Sequence, residues 1–324
     1  MFGMMSGGKG ECDFKILSDT NAGDDPKDIC VDIDREIAFN VAYGSDRVYI
    51  TDISNSSNIE NISFFDTRDG PDHCEIDLVN SILYVSNAGK DSLEAFDVSD
   101  IDNVSQLGYV DGIDAARGIA LDLDNSIAYV AGQNADKLYS IDISDSADMS
   151  IIQGLSGFDG IEGIVLDLDN SIAYVTGHDA DKLYSIDISD SADMSIIQGL
   201  SGFDGALQLE IDIERSCVFV ICYQSDKLYS IDISDPADMS ILSSVDIDSP
   251  RFGIALDLDN NIAYVPTYGD DLLYAIDISD VNNIKTIQTL TIGGDLAGVA
   301  LDLDNNIAYV LSYSENDITS VCIK

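Results

Sequence analysis

The chain has 324 residues, 45% of them hydrophobic, which is enough to build a packed core in one or two domains. Sixty acidic residues against 15 basic ones give a net charge of −45, a field that repels phosphate backbones and anionic lipid surfaces. We therefore expect no nucleic-acid partner. Because the sequence has no run of 18 apolar residues, we also expect no membrane span.

The excess of acid has two interpretations, which the sequence leaves open. One is a salt-adapted, halophilic surface that uses carboxylates for solubility. The other is specific cation binding by some of the aspartates, with Ca²⁺ as the candidate ion, although no motif requires a cofactor. We expect an extracellular or cell-surface location, with the cytoplasm of a halophile as the alternative.

The first segment of the chain, MFGMMSGGKGE, has no apolar h-region and does not resemble a signal peptide. We interpret residues 1–11 as a flexible leader and residues 12–324 as a single domain. Six cysteines in a chain of this length do not form a disulfide scaffold. Cys217 and Cys222 are five residues apart on one predicted strand, so their side chains lie on opposite faces and cannot pair.

An internal repeat of 45 residues runs through the rest of the chain. The segment LYSIDISD occurs at Leu138, Leu183 and Leu228, and LYAIDISD follows at Leu273. A second marker has the same spacing and is aspartate in all seven copies: Asp32, Asp77, Asp122, Asp167, Asp212, Asp257 and Asp302. A fixed period of this length is typical of repeat architectures, and the count predicts seven units.

Each unit contains four strand signals separated by Asn, Asp, Ser and Gly. In the third unit they cover residues 118–122, 127–133, 137–143 and 149–155. The first two are apolar on both faces, as strands covered on both sides must be. The blades of a propeller provide that environment because each is enclosed by its neighbours. We therefore predict an all-β fold, a seven-bladed β-propeller.

The end of the chain predicts how the ring closes. The last unit stops at its third strand, residues 317–324, and so lacks an outer strand. Residues 14–18 (FKILS) lie three periods before 149–153 (MSIIQ), in the register of an outer strand. We predict that this N-terminal strand closes the last blade and so removes the open edges of the sheet.

The repeated pattern of AYV followed by L-Y-x-I-D-[IV]-S-[DN] resembles the LVIVD-repeat propellers, and the IAYV element is similar to the YVTN repeats. The resemblance extends from about Cys12 to Lys324. It implies a propeller at the cell surface or outside the cell, often of unassigned role. It also implies that the motif residues are structural, so it transfers no catalytic residue to this chain.

Candidate site residues occupy positions at which the seven units differ. Two adjacent positions just before the first strand, and one after the second strand, lie on the face of a propeller where the channel opens and ligands usually bind. Charged and aromatic side chains confined to one rim suit a binding surface, although loop tips also vary freely where nothing constrains them. The candidate ligand-binding residues are Lys27, His73, Arg117, Glu162, Phe252, Tyr43, His178, Tyr223, Tyr268 and Tyr313.

No catalytic motif is present: the chain has no G-x-S-x-G, H-E-x-x-H, Walker loop or zinc-type Cys/His spacing. We interpret the repeated aspartates of the Asp122 and Asp142 sets as turn caps. We expect a monomeric, non-catalytic binding or adhesion module whose ligand is a protein or a glycan, and the acidic field favours a basic peptide. The alternative is a Ca²⁺-dependent, lactonase-like hydrolase, with His73, Glu162 and Asp72 as candidate metal ligands at the channel mouth.

The charge generates a prediction about stability. Repulsion among the acids should make the melting temperature rise between about 0.1 M and about 2 M NaCl, because the Debye length shortens from about 10 Å at 0.1 M to about 3 Å at 1 M. Thermal unfolding followed by circular dichroism measures this. A flat or falling melting temperature would argue against a salt-adapted surface. A rise of several degrees with micromolar CaCl₂ alone would instead indicate specific ion sites.

Overall fold

The computed structural model describes residues 14–323, which form seven four-stranded antiparallel sheets. The predicted leader, residues 1–11, lies outside the described residues. The first strands are β1 (Lys15–Asn21), β2 (Pro26–Asp32), β3 (Ile37–Ala42), β4 (Arg47–Asp52), β5 (Glu60–Asp66), β6 (Pro71–Asp77), β7 (Ile82–Asn87), β8 (Ser92–Asp97), β9 (Ser105–Asp111), β10 (Ala116–Asp122), β11 (Ile127–Gly132), β12 (Lys137–Asp142) and β13 (Ser150–Ser156). The remaining strands are β14 (Ile161–Asp167), β15 (Ile172–Gly177), β16 (Lys182–Asp187), β17 (Ser195–Ser201), β18 (Ala206–Asp212), β19 (Cys217–Cys222), β20 (Lys227–Asp232), β21 (Ser240–Asp246), β22 (Ala255–Asp257), β23 (Ile262–Pro266), β24 (Leu272–Asp277), β25 (Lys285–Thr291), β26 (Leu296–Asp302), β27 (Ile307–Ser312) and β28 (Asp317–Cys322).

The sheets are the seven blades of a β-propeller, as the repeat predicts. Blades 1 to 6 each take four consecutive strands, from β2–β5 to β22–β25, and the first strand of each lies innermost. Between β3 and β4 a single turn of 3₁₀-helix, Tyr43–Ser45, replaces a simple turn. None of the helical structure in residues 14–323 is long and apolar enough to cross a membrane.

The ring closes through the N-terminal strand. Blade 7 has the order β1-β28-β27-β26, and β1 pairs antiparallel with β28, from Lys15 opposite Cys322 to Asn21 opposite Asp317. The predicted closing strand is confirmed, with its end three residues later than the sequence indicated. Ser320 Oγ also donates a hydrogen bond of 2.6 Å to the Ser56 carbonyl of blade 1, so blade 7 is joined to its neighbour across the closure.

The core consists of seven apolar clusters, and each is shared by two adjacent blades. The cluster between blades 1 and 7 is of the same kind as the others, so within residues 14–323 the first and last blades pack together like every other neighbouring pair. One aromatic side chain per blade, at the third position of the second strand, is 0–1% exposed: Phe39, Tyr84, Tyr129, Tyr174, Phe219, Tyr264 and Tyr309. A seven-fold ring of rigid aromatic rings therefore fills the interfaces between blades.

Repeated aspartates hold the turns by accepting backbone hydrogen bonds. In the seven-fold set, Asp122 Oδ1 accepts the Asn125 N–H at 3.1 Å while Asp122 Oδ2 accepts the Asn125 side chain at 2.8 Å. The equivalent aspartates in the other blades make the same backbone bond. In the Asp142 set, all six aspartates accept the N–H two residues ahead. Both sets are turn caps, as interpreted from the sequence.

A third aspartate set, which the sequence did not single out, ties neighbouring blades together. Asp136 has a left-handed conformation (φ 52°), which aspartate tolerates, and its carboxylate accepts the Gly160 N–H at 2.9 Å. Five other blades carry the same Asp bond, and at the ring closure Asn316 replaces the aspartate and accepts the Asp25 N–H. Much of the acid is therefore used in folding.

Four cysteines, Cys30, Cys74, Cys217 and Cys222, are buried free thiols. Cys217 and Cys222 stand at the two ends of β19 and do not pair, which confirms the prediction made from their spacing.

The closing strand can be tested by deletion. Removing residues 2–21 should expose the unpaired edge of β28 and cause aggregation or loss of cooperative unfolding, because an open strand edge templates pairing with other chains. Size-exclusion chromatography and thermal melts measure both effects. Deletion of residues 2–11, which leaves β1 intact, is the matched control. A 2–21 deletion that stays monomeric with an unchanged melting temperature would contradict the role of β1.

Candidate ligand site at the channel mouth

Two adjacent positions of the repeat, on or just before the inner strand of each blade, line two different cavities. The first register is the position of Lys27 and its equivalents, and the second register is the position of Asp28 and its equivalents. From the first register, Lys27, Arg117, Glu162, Leu207 and Phe252 line a mouth cavity of about 410 Å³. From the second register, the side chains of Asp28, His73 and Gln208 line the central channel, of about 600 Å³. Consecutive residues of a strand point to opposite sides, which explains the separation. The first register was expected to precede the first strand, but Lys27, Arg117 and Glu162 lie inside β2, β10 and β14 because these strands begin earlier than predicted.

The second register is glycine in four blades because the inner strands are too close for a side chain. A Cβ on Gly118 would lie 2.5 Å from the Glu162 carbonyl oxygen, and one on Gly163 would lie 2.7 Å from the Leu207 carbonyl oxygen. Larger residues occur at this register only in blades 1, 2 and 5, as Asp28, His73 and Gln208.

Asp72 is the centre of an ionic cluster below the mouth. Its carboxylate is 2.6 Å from Lys27 Nζ, 2.6 Å from an Arg117 guanidinium nitrogen and 2.8 Å from His73 Nδ1. The Asp72 side chain is only 2% exposed, and burial alone would raise its pKa. Lys27, His73 and Arg117 outweigh that effect and hold the pKa of Asp72 well below its usual range, so the buried carboxylate is charged and fully paired.

A chain of polar contacts extends this cluster to blade 4. Arg117 Nε donates to Gln133 Oε1 at 3.2 Å, and Gln133 Nε2 donates to Glu162 Oε2 at 2.6 Å. Burial raises the pKa of Glu162, and the charge of Arg117 partly opposes that rise. These contacts hold the charged side chains of blades 1 to 4 in fixed positions.

His73 crosses the channel beneath the cluster. Its Nε2 atom lies 2.8 Å from Gln208 Nε2 in blade 5, so the amide donates to the ring when that nitrogen is unprotonated. Burial lowers the pKa of His73, but the Asp72 carboxylate more than compensates and the pKa is raised. The contact joins blade 2 to blade 5 between the mouth cavity and the channel, and gives the mouth a floor.

The opposite side of the mouth is aromatic. Phe252 stacks on Tyr313 with ring centroids 6.0 Å apart and meets Tyr268 edge-on at 5.8 Å. Lys27 Nζ lies 4.1 Å from the centre of the Tyr43 ring, and Tyr223, which is 38% exposed, completes the aromatic wall. Burial raises the pKa of Tyr313, so its hydroxyl is a neutral donor and acceptor at physiological pH.

Arg251 lies among these rings and was missed by the sequence analysis. Its guanidinium carbon is 5.0–5.2 Å from the ring centres of Tyr223, Phe252 and Tyr268. The signal was present, because the equivalent positions in the other six blades carry proline, alanine, isoleucine or leucine. Blade 6 differs locally: Pro250 has no backbone N–H to donate and makes only an isolated bridge with Thr267. Strand β22 starts only at Ala255, so Arg251 and Phe252 lie outside the strand.

The ten candidate residues therefore fall into three groups. Two of them, Tyr43 and His73, do not line the mouth cavity: Tyr43 packs on Lys27 at its edge, and His73 lines the channel below. The other eight line the mouth cavity together: Lys27, Arg117, Glu162, His178, Tyr223, Phe252, Tyr268 and Tyr313.

The channel contains two carboxyl groups that the sequence analysis did not consider. Burial, with the nearby charges of Asp28 and Glu210, raises the pKa of Glu75 to about 8, and burial raises the pKa of Glu210 to about 7. At the positions equivalent to Glu75 and Glu210, the other blades carry cysteine, alanine or valine, so a charged residue there was a detectable exception. Both groups hold their protons in the folded protein at pH values where an ordinary glutamate has released them.

These two carboxyl groups predict a pH dependence of stability. Unfolding at pH 5 to 8 releases the protons that Glu75 and Glu210 hold, so the free energy of unfolding should fall as the pH rises through this interval. We expect the melting temperature to drop by roughly a few degrees from pH 5.5 to pH 8.

Glu75→Gln and Glu210→Gln should flatten that slope, whereas Glu214→Gln, in an exposed turn, should leave it unchanged. Melting curves at fixed ionic strength measure the slope. Equal slopes in all four proteins would contradict the assignment.

No family model matches the chain, and no curated protein sequence matches it. Among solved structures, the Swd1 β-propeller domain from Myceliophteria thermophila is 10% identical, with 96% of this chain and 100% of that chain covered and a TM-score of 0.77. A putative 6-phosphogluconolactonase from Bacteroides uniformis is 12% identical, with coverage of 86% and 89% and a TM-score of 0.75. A protein from Lactobacillus plantarum is 16% identical, with coverage of 82% and 85% and a TM-score of 0.73. At these identities the likeness concerns the fold, and it supports the seven-bladed propeller.

Proposed function

We propose that the protein is a non-catalytic binding module that holds a glycan in the mouth cavity. The observation that carries this proposal is the aromatic wall of Tyr223, Phe252, Tyr268 and Tyr313 facing a ring of fixed polar groups. Flat aromatic faces stack on the apolar faces of sugar rings, while hydroxyl, amide and guanidinium groups bind sugar hydroxyls. The cavity volume of about 410 Å³ lies within the range of small-ligand sites, about 300–1,000 Å³.

A glycan suits this mouth better than the basic peptide that the net charge favours. Lys27, Arg117 and Arg251 all line the cavity, so a basic segment would meet like charge there. The −45 charge acts over the whole surface but is screened beyond about 8 Å at physiological salt. Side chains within the cavity therefore decide which ligand binds.

The alternative, a Ca²⁺-dependent hydrolase at the same mouth, finds less support in the geometry. Its candidate ligands were His73, Glu162 and Asp72. The Asp72 carboxylate is engaged by Lys27, Arg117 and His73, and in residues 14–323 no group of three or more His, Cys, Asp or Glu side chains is arranged to bind a metal ion. The resemblance to the LVIVD and YVTN repeats adds a cell-surface or extracellular setting to the proposal, in which a monomeric propeller would bind surface glycans.

An alanine series tests the proposal. An array of neutral and acidic oligosaccharides identifies a binder, and titration calorimetry then measures its affinity. Tyr223→Ala and Tyr268→Ala should each weaken binding about thirtyfold, roughly 2 kcal/mol for a buried aromatic contact, with little change in melting temperature. Tyr109→Ala is the matched control, because Tyr109 is 50% exposed on the outer strand β9 and does not line the mouth cavity.

Arg117 is unsuitable as a probe, because its removal would break one of the ion pairs of buried Asp72 and lower stability as well as any affinity. No glycan binding on the array, or equal losses in the Tyr109 variant, would overturn the proposal.

A further inference from the structure

Arg251 differs from every other arginine of the protein. Five of the six arginines form an ion pair with an aspartate: Arg35, Arg47, Arg68, Arg117 and Arg215. Among residues 14–323, Arg251 is the arginine without such a pair, although the chain has 60 acidic residues. A guanidinium left unpaired in so acidic a protein is available to an anion from solution.

Two other arginines show that an arginine can pack on an aromatic ring and still form an ion pair with an aspartate. Arg47 lies 4.1 Å from the centre of the Phe64 ring and pairs with Asp66. Arg68 lies 4.1 Å from the centre of the Tyr109 ring and pairs with Asp111. Both combine a cation–π contact with a carboxylate on the outer strands. Arg251 contacts three rings inside the mouth cavity but, within residues 14–323, pairs with no aspartate. A carboxylate from a ligand can therefore take the position that Asp66 and Asp111 occupy beside the other two arginines.

We propose that the glycan bound at the mouth is a uronic-acid oligosaccharide, whose carboxylate pairs with Arg251 while its sugar rings stack on Tyr223 and Tyr268. This inference rests on the proposed glycan binding. The planar guanidinium matches a carboxylate through two parallel N–H···O bonds. Arg251 carries one positive charge, which the single negative charge of a carboxylate balances, whereas a phosphate ester carries up to two negative charges.

The test compares an acid with its own ester. Trigalacturonic acid and its trimethyl ester have the same sugar rings and differ in the charge of three carboxyl groups, so calorimetry with both measures the contribution of the carboxylates. We expect the acid to bind at least tenfold more tightly than the ester. Arg251→Gln should abolish that difference and leave the affinity for the ester within about twofold. Arg68→Gln, which removes a ring-stacked arginine outside the mouth, should change neither affinity.

The outcomes separate this inference from the function on which it rests. Equal binding of acid and ester, or equal weakening of both by Arg251→Gln, would overturn the proposal of a uronic-acid ligand. If Tyr268→Ala still weakened the binding of both, the proposed glycan binding would stand. Tighter binding of a phosphorylated or sulfated sugar, such as galactose 6-phosphate, would overturn the choice of carboxylate. Binding of neutral array glycans alone, dependent on Tyr268, would overturn the uronate only. Absence of binding to any glycan would overturn both proposals.

Discussion

The carboxylate of a repeated aspartate accepting a backbone N–H in a turn is the interaction on which this propeller depends. Three sets of aspartates, with seven, six and six members, make such bonds at equivalent places in the blades. Two of them cap the turns at the ends of the first and third strands, and a third joins the loop after the second strand to the next blade. A buried turn amide without a partner would cost about 1–3 kcal/mol. These turns therefore account for part of the high acid content of the chain.

The same bonds hold the loops that carry the mouth. The set equivalent to Asp136 lies beside the loop residue after the second strand, where His178, Tyr223, Tyr268 and Tyr313 are found. Because each carboxylate fixes the backbone of two neighbouring blades, the side chains between them are free to differ without loss of the fold. A uniform scaffold thus supports a variable rim, which is the arrangement that binding surfaces on rigid folds commonly use.

The ring departs from seven-fold symmetry at the mouth, in two ways. Asp72 gathers three cationic groups from blades 1, 2 and 3 into one buried cluster, and His73 reaches Gln208 on the far side of the channel. In blade 6 the inner strand is three residues long, against seven in the other blades, so Arg251 lies among aromatic rings. The first departure forms a rigid floor for the cavity, and the second supplies its unpaired charge.

The sequence by itself determined the blade count, the closing strand and the face on which variable residues lie. Each of these follows from a period of 45 residues, and a period constrains all copies at once: seven aspartates in one register require seven equivalent turns. It also identified eight of the residues that line the mouth cavity, because comparison between copies shows which positions the architecture leaves free.

Only the tertiary structure decided which of those residues contact one another. Lys27, Asp72 and Arg117 lie 45 residues apart in the chain, and their meeting within 2.6 Å depends on how closely the inner strands approach the axis. The position of Arg251 depends on the residue at which β22 begins. A repeat pattern averaged over the seven blades does not show that one inner strand begins later than the others. The repeat therefore predicts the scaffold, whereas the site arises from the few residues at which one copy breaks the pattern and side chains from different blades come together.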